Sequence, residues 1–307
     1  MPYHIVKYWC LLLLILPVHV SAQEQKIPLS ATISIADAEK SGDTFYVRFS
    51  VNSRGSIYLL DSGLNRLVKI NQQGAILKEI GGFGWGDVQF DQATDIWARN
   101  ALNVFVVDHN NHRIQHFDRN LNFIASINND SALPDHLQFA FPIAMVFSRF
   151  GELFLIEGEN KRVLHLDAQF KPLRSFGSFD WGEGALQEPA AIGLSAQQEV
   201  FVYDMGQNAI IIFDYFGNFD RIIPIKKRSE STRMLIMNKH IYLADSTGMA
   251  LDIYNNDGSE DTRYSFAHHL TKGMRIRDFF ITDQLFYVLA GEPATIYVFK
   301  PMPSGEK

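Results

Sequence analysis

The chain repeats one six-residue pattern six times, and this repetition restricts its fold more than any other feature. Each copy is an apolar run with an aromatic residue at the third position, and five of the six copies end in an acidic residue. The final positions, which we term the marks, are Asp61, Asp108, Glu157, Asp204, Asp245 and Ala290. Short apolar runs rich in β-branched and aromatic residues are typical of strands buried on both faces. The sequence therefore predicts a β protein built from six similar units.

A second recurring position lies ten residues after each mark, and the residue before it is apolar in every unit. These second positions are Asn71, Asp118, Asp167, Asp214, Asn255 and Lys300. In three units a glycine stands three residues further on (Gly74, Gly217 and Gly258), where a hairpin needs a positive φ. Successive marks are 41 to 49 residues apart, which accommodates four strands and matches the period of a propeller blade. We predict an all-β, six-bladed β-propeller of four-stranded antiparallel blades.

The sixth unit lacks an outer strand of its own. Only residues 301–307 follow its second position, and two of them are proline. Near the other end of the chain, an alternating stretch at residues 29–35 places Ile33 and Ile35 on one face. We predict that this stretch supplies the missing strand and closes the ring, because an open blade would leave an exposed sheet edge.

The first residues resemble an export signal. Lys7 is followed by an apolar run over residues 8–20 and by small residues up to Ala22, as in a secretory signal peptide. We therefore divide the chain into a signal peptide at 1–22 and a propeller domain at 23–307, with an uncleaved N-terminal anchor as the alternative. The only cysteine, Cys10, lies in the signal peptide, so the exported chain has no disulfide. We expect a secreted or periplasmic protein of a bacterial cell envelope, without a membrane span once the signal peptide is removed.

One unit carries a family resemblance. Residues 103–117 read NVFVVDHNNHRIQHF and closely resemble an NHL repeat, with its strand, its Asp, its Asn-His-Arg-Ile and its aromatic residue. Residues 81–90, GGFGWGDVQF, resemble the glycine-rich link that precedes such a repeat. The resemblance extends over about residues 44–300 and is strongest in the second unit. It implies a six-bladed propeller that binds more often than it catalyses, and it leaves the ligand open.

An arginine lies five residues after each of the first three marks, which gives the pairs Asp61–Arg66, Asp108–Arg113 and Glu157–Arg162. We interpret them as exposed ion pairs that stabilise a turn, worth about 0.2–1 kcal/mol each. A ring of charges at the channel mouth is the alternative. The fourth and fifth units carry alanine at the arginine position, so Asp204 and Asp245 are either free for a ligand or used to hold the turn backbone.

Two tryptophans, Trp85 and Trp181, occur in links that join one unit to the next. In a propeller these links share a face with the turns after the marks. Tryptophan combines a large apolar surface with a polar group, which suits a protein, peptide or glycan ligand. Covering a seam between blades is the alternative role. The other candidates for this binding face lie in further links and are His136, Phe141, Arg233 and Arg275.

The histidines are the residues to test for a metal site. His109, His112 and His116 have ligand-like spacing, but on a tight hairpin they do not converge. A propeller of the amidating-lyase or lactonase type needs several His, Asn or acidic groups at the inner ends of its first strands, and we find only Asp95 there. We therefore predict no metal and no cofactor, with calcium or zinc as alternatives.

The charge and the residue pattern favour binding over catalysis. The net charge of −6 argues against a nucleic-acid partner, because phosphate neutralisation needs a basic surface. We predict an exported binding module that holds a peptide, a glycan or a partner protein on the face with the links. The alternative is a metal-dependent lyase or lactonase-like propeller enzyme with its site at the channel mouth.

Overall fold

The structure, a computed structural model, describes residues 23–36, 46–180, 182–225, 233–245, 249–271 and 273–300. In this part of the chain six sheets form the blades of a propeller, and the inner strands of neighbouring blades contact one another around a central channel. The predicted all-β, six-bladed fold is therefore confirmed. The signal peptide at residues 1–22 and Trp181 lie outside the described residues.

Each blade begins with an inner strand at the channel and continues antiparallel toward the rim. From the channel outward, blade 1 contains β3 (Tyr46–Val51), β4 (Ile57–Asp61), β5 (Arg66–Ile70) and β6 (Ile76–Gly81). Blade 2 contains β7 (Ala93–Trp97), β8 (Asn103–Asp108), β9 (Arg113–Asp118) and β10 (Phe123–Asn128). Blade 3 contains β11 (Pro142–Phe147), β12 (Leu153–Glu157), β13 (Arg162–Leu166) and β14 (Pro172–Phe176). Blade 4 contains β15 (Pro189–Leu194), β16 (Val200–Asp204), β17 (Ala209–Phe213) and β18 (Phe219–Pro224). Blade 5 contains β19 (Met234–Met237), β20 (His240–Asp245), β21 (Ala250–Asn255) and β22 (Glu260–Ser265). Blade 6 contains β23 (Ile276–Ile281), β24 (Phe286–Ala290), β25 (Thr295–Phe299) and, as its outer strand, β2 (Leu29–Ser34).

The ring closes through the N-terminal segment. β2 pairs antiparallel with β25 along its length, which confirms the predicted closing strand. Ile33 and Ile35 enter the seam between blades 6 and 1, where they are 5% and 3% exposed. A further strand, β1 (Gln23–Lys26), adds in parallel to the outer edge of blade 5, and the sequence analysis did not predict it. The segment therefore ties two neighbouring blades together.

The core is divided among the seams between blades. The described residues form six hydrophobic clusters, and each lies between two adjacent blades. Each cluster contains one aromatic third position of the repeat, at most 8% exposed: Tyr58, Phe105, Phe154, Phe201, Tyr242 and Tyr287. Burying such a side chain contributes about 1.5–3 kcal/mol. The repeat recognised in the sequence is thus a packing repeat, with one aromatic ring for each seam.

The connections between strands are turns and short loops. Gly74, Gly217 and Gly258 have φ values of 84°, 87° and 85°, as the hairpin spacing predicted. At Gly217 an added Cβ would lie 2.4 Å from a ring carbon of Phe176, so this turn requires glycine for space as well as for φ. The helices of the described residues are two single 3-10 turns, and none of them is long and apolar enough to cross a membrane.

Candidate functional site

The two faces of the propeller carry different connections. The face that we call the link face carries the turns after the marks and the links between blades, which include residues 82–92, 129–141 and 177–180 with 182–188. The opposite face, which we call the turn face, carries the turns that follow the inner strands, such as residues 98–102, 148–152 and 195–199. A ligand on one face therefore meets a different set of backbone segments from a ligand on the other.

In blade 2 the ion pair after the mark holds the link from blade 1. Arg113 Nε donates to Asp108 Oδ2 at 2.8 Å, across the turn between β8 and β9. The two terminal nitrogens of Arg113 donate to backbone carbonyls of the link, at 2.8 Å for Trp85 and 2.9 Å for Gly86 and Gln89. Five donors in a rigid fork suit this use of arginine. The pair fixes the backbone that carries Trp85.

Blades 1 and 3 use the same arrangement. Arg66 Nε donates to Asp61 at 3.0 Å, and Arg162 Nε lies 3.1 Å from Glu157. Arg162 also donates to two carbonyls of the link from blade 2, at 2.8 and 2.9 Å. In all three pairs the side chain of the acid is 0% exposed and that of the arginine is 9% exposed. Our interpretation of exposed pairs was therefore wrong: the pairs are buried. Arg113 and Arg162 also hold a link, whereas Arg66 donates to Glu79 of β6 at 2.8 Å.

The two marks without a following arginine are engaged as well. Asp204 accepts backbone N–H groups of the link from blade 3, at 2.6 Å from Gln187 and 3.1 Å from Glu188. Asp245 is paired with Arg263 of β22, two strands away, at 2.5 Å. Of the two roles left open for Asp204, the structure therefore shows that it holds the backbone. Asp245 has no arginine five residues on, as the sequence shows, but the sheet register brings it Arg263 from the outer strand, so it is not free for a ligand.

Aromatic side chains on the links extend into solvent. Phe83, Trp85, Phe141 and Phe179 are 68%, 78%, 38% and 89% exposed. Hydrogen bonds hold the backbone beneath them. The N–H of Phe141 donates to His112 Nδ1 at 3.0 Å, and Arg113 donates to the backbone carbonyl of Trp85. The sequence analysis named Trp85 and Phe141 and missed the two phenylalanines, because residue type alone does not reveal exposure.

Of the other three residues predicted for the binding face, two are exposed and one lies in the channel. His136 is exposed in the short helix Asp135–Leu137, and Arg275 is exposed just before β23. Arg233 lies instead inside the channel, with its side chain 11% exposed and its Nε 3.0 Å from Asp278. It directly precedes β19, so the inner-strand geometry directs it to the channel and not to the link face.

The channel contains a ring of positions, one per blade. In five blades the ring residue is opposite the residue that precedes the mark, and in blade 5 it is the residue directly before β19. The ring positions are Arg48, Asp95, Ala144, Ala191, Arg233 and Asp278. Asp278 lies between two arginines, 3.3 Å from Arg48 and 3.0 Å from Arg233. Arg48 lies 3.6 Å from Asp95. The sequence analysis found only Asp95, although each ring residue stands 12 or 13 residues before its mark, a spacing that could have revealed the others.

The ring carboxylates also satisfy the free edges of the inner strands. Asp278 accepts the N–H of Phe49 at 2.8 Å, and Asp95 accepts the N–H of Met145 at 3.0 Å, each from an adjacent blade. Burial lowers the pKa of Arg48, and the carboxylate of Asp278 opposes this effect. Burial alone would lower the pKa of Arg233 too, but Asp278 and Asp95 outweigh it and raise that pKa. The two acids and two bases form a neutral network.

The donor groups of the described residues do not assemble a metal site. No three His, Cys, Asp or Glu side chains converge within the described ranges. His109 Nδ1 lies 2.9 Å from the carbonyl oxygen of Pro142, and His116 Nε2 lies 2.9 Å from Asn103 Oδ1. In the channel, guanidinium groups take the space beside the carboxylates that a cation would need. The residues present therefore do not fit the metal centre of the enzymatic alternative.

Comparison with known proteins establishes the class by fold alone. No protein-family model matches the chain, and the search of curated proteins gives no match either. Among solved structures, an inactive virginiamycin B lyase of Staphylococcus aureus with quinupristin matches at a TM-score of 0.61 and 12% identity, over 86% of this chain and 83% of the lyase. A gluconolactonase-like protein matches at a TM-score of 0.63 and 12% identity, over 84% and 89%.

A third similar structure is the nidogen–laminin complex, at a TM-score of 0.55 and 10% identity, over 73% of this chain and 81% of the matched chain. The chain is thus a six-bladed β-propeller whose structural neighbours include enzymes and a protein found in a protein complex. At such low identity the similarity extends to the fold only. Membership of the NHL family stays a prediction from residues 103–117.

Proposed function

We propose that this propeller is an exported, non-catalytic binding protein that holds a partner protein on its link face. The observation that carries the proposal is the set of exposed aromatic side chains on links whose backbone is fixed from below. Phe83, Trp85, Phe141 and Phe179 lie on three successive links, and each is at least 38% exposed. Large exposed aromatic residues mark interaction sites more often than single scattered apolar side chains do.

The fixed backbone supports a binding role in energetic terms. Association costs free energy for every loop and side chain that it orders, and preorganised loops reduce that cost. The link that carries Phe83 and Trp85 receives three hydrogen bonds from Arg113, and Gln115 accepts the N–H of Val88 at 3.0 Å. The aromatic rings are therefore presented by a link that does not need to fold on binding.

A partner protein is favoured over the other ligands that the sequence left open. The exposed rings are spread over the links of three blades, which suits a broad surface better than a short peptide or a single sugar. The nidogen–laminin neighbour offers a precedent for a propeller in a protein complex. The lyase and lactonase-like neighbours are the precedent for the enzymatic alternative, whose metal ligands the described residues do not provide.

Site-specific photocrosslinking tests the proposal. A photoreactive phenylalanine analogue replaces Trp85 or Phe179 in the full chain. The variants are expressed in the organism that naturally produces the protein. The matched control carries the analogue at Phe150, which is 56% exposed on the turn face. We expect a discrete adduct with the same second protein from positions 85 and 179 and none from position 150. No adduct from the link face, or an equal adduct from all three positions, would overturn the proposal.

Export is tested separately. The proposed signal peptide predicts that the protein recovered from outside the cytoplasm begins at Gln23. N-terminal sequencing of the protein from the fractionated cells measures this directly. A chain that begins at Met1 and remains with the membrane would support the anchor alternative instead.

A further inference from the structure

A cavity occupies the part of the channel that the charged ring does not fill. Its volume is about 380 Å³, which lies within the range of small-molecule sites. Asp95 and Arg233 of the ring line one end of it, and residues of the turn face, including Ala196 and Lys239, line the other. The cavity therefore opens on the turn face, away from the aromatic residues of the link face.

The cavity exists because two ring positions carry no large side chain. Blades 1, 2, 5 and 6 place Arg48, Asp95, Arg233 and Asp278 at the ring, whereas blades 3 and 4 place Ala144 and Ala191 there. Gly193 of β15 also lines the cavity, and its lack of a Cβ makes room for Ile236, whose Cγ1 would lie 2.8 Å from such a Cβ. The space is built by the sequence of two adjacent inner strands.

Arg99 brings a positive charge to this cavity. Within the described residues it has no carboxylate at ion-pair distance, in contrast to Arg48 and Arg233 of the ring. Its guanidinium carbon lies 4.9 Å from the centre of the Phe280 ring, which orients the group by a cation–π contact. The Arg99 side chain is exposed where the cavity opens on the turn face, so a ligand that enters from solvent can reach its charge.

The charge balance of the lining favours an anion. Arg233 and Asp95 of the lining belong to the neutral ring, so the excess positive charge of the cavity comes from Arg99 and Lys239. Lys239 is exposed at the open end. The formal charge of the whole chain is −6, so this positive lining runs against the average of the molecule. A low-dielectric concave site with excess positive charge attracts anions.

The remaining walls suit an apolar body with hydrogen-bonding groups. The rings of Trp97 and Phe147 lie 4.6 Å apart on one side, and Met237 lies on the turn side. Within the described residues no side chain hydrogen-bonds to the backbone of β15 or β19, whose inner edges line the cavity. The backbone N–H and C=O groups of these two edges are therefore open to a ligand. By contrast, Asp95 and Asp278 each accept a backbone N–H from the inner strand of another blade.

We propose that this cavity binds a small organic acid, whose carboxylate pairs with Arg99 and whose apolar body packs against Trp97 and Phe147. The site lies in the channel and opens on the turn face, so it is separate from the partner surface proposed above. A carboxylate held by a guanidinium in a partly enclosed site gains a charge-assisted hydrogen bond.

Calorimetric titration of the full chain with a panel of monocarboxylates of rising size, from acetate to phenylacetate and decanoate, tests this site. The neutral isostere phenylacetamide controls for purely apolar binding. We expect at least one acid to bind with one site per chain and at least about tenfold more tightly than its amide. We expect Arg99→Gln to bind that acid at least about tenfold more weakly, and Arg99→Lys to retain part of the affinity.

The matched control is Arg149→Gln. Arg149 is an exposed arginine of the turn face that also contacts a phenylalanine ring, at 4.8 Å from Phe150, but it does not line the cavity. This variant is expected to bind the acid as the unmodified chain does. Circular dichroism melting shows whether each variant is folded. Absence of binding by every acid in the panel, or equal affinity in folded Arg99→Gln and the unmodified chain, would overturn the proposal.

Discussion

His165 lies face to face with Phe154 in the seam between blades 3 and 4, with ring centroids 4.0 Å apart and 14° between the planes. Its Nε2 is 3.4 Å from Glu152 Oε2, and the hydroxyl of Tyr215 donates to the same carboxylate. The imidazole is fully buried. This cluster stands outside the channel and both proposed sites, so we assign it to stability.

The first prediction is that His165 makes stability depend on pH. Burial lowers the pKa of His165 below its usual range, and the carboxylate of Glu152 opposes that shift. Between the folded pKa and the ordinary value of 6.5, the unfolded chain binds a proton that the folded chain does not. The stabilising contribution is therefore complete above that window and is lost as the pH falls through it.

Urea unfolding at about pH 7.5 and about pH 5.5 measures this effect. We expect the loss of free energy of unfolding between the two pH values to be smaller in His165→Phe than in the unmodified chain. The pKa of His116 is lowered by burial as well, so some dependence remains in the variant. Replacement of the exposed His136 by Phe is the control for the loss of an imidazole at the surface. An equal loss in His165→Phe and the unmodified chain would contradict the assignment.

The second prediction concerns the link that Arg113 holds. Arg113→Met leaves Asp108 as a buried, unpaired carboxylate and removes three hydrogen bonds from the link. Breaking a buried pair by removing one partner costs about 3–5 kcal/mol of stability. We also expect the amides of residues 83–90 to exchange hydrogen faster. Denaturant unfolding and hydrogen-exchange mass spectrometry measure the two effects.

Arg149→Met is the control for this experiment, because Arg149 is an exposed arginine and its loss is expected to change stability by less than about 0.5 kcal/mol. If Arg113→Met loses stability while exchange in the link stays unchanged, the pair stabilises the turn alone. The preorganised link on which the proposed partner surface depends would then lack its support.

The repeat revealed the features that depend on local sequence. The marks, the hairpin glycines and the closing strand were read correctly, because each follows from an apolar run, a turn residue or a missing strand. β1 escaped notice because Gln23–Lys26 is polar and offers no alternation. Its pairing with β22 rests on backbone hydrogen bonds, which residue types do not encode.

The features that depend on register across blades were beyond the same approach. Arg263 reaches Asp245 from two strands away, so no fixed offset along the chain announces the pair. The charged ring joins residues from four blades, and Arg48 is separated from Asp278 by most of the chain. Such contacts follow from the closure of the propeller. The cavity beside the ring follows from the same geometry and was not foreseen.

The third prediction separates the two strands of the N-terminal segment. Deleting residues 23–26 removes β1 and leaves Ile27 and β2 in place, so we expect a small decrease in melting temperature. Deleting residues 23–36 also removes Ile27, Ile33 and Ile35, which are at most 5% exposed, and uncovers the edge of β25. Each buried isoleucine contributes about 1.5–3 kcal/mol. Thermal unfolding and size-exclusion chromatography should therefore show a large loss of stability and association only for the longer deletion. Equal melting of both truncations would contradict closure by β2.

The fourth prediction tests whether the charged ring supports the fold. In Asp278→Asn, Arg48 and Arg233 lose a buried carboxylate that lies within 3.3 Å of both, so we expect a cost of about 3–5 kcal/mol. The double variant Asp278→Leu, Arg233→Met removes an acid and a base together, and we expect it to be more stable than Asp278→Asn, because one fewer charge is left unpaired. Urea unfolding of Asp278→Leu, of Arg233→Met and of the double variant gives the coupling free energy. A cost below about 1 kcal/mol for Asp278→Asn would mean that water screens the ring as it screens surface pairs. The ring carboxylates would then be available to a cation, and the argument against a metal centre in this channel would lose its basis.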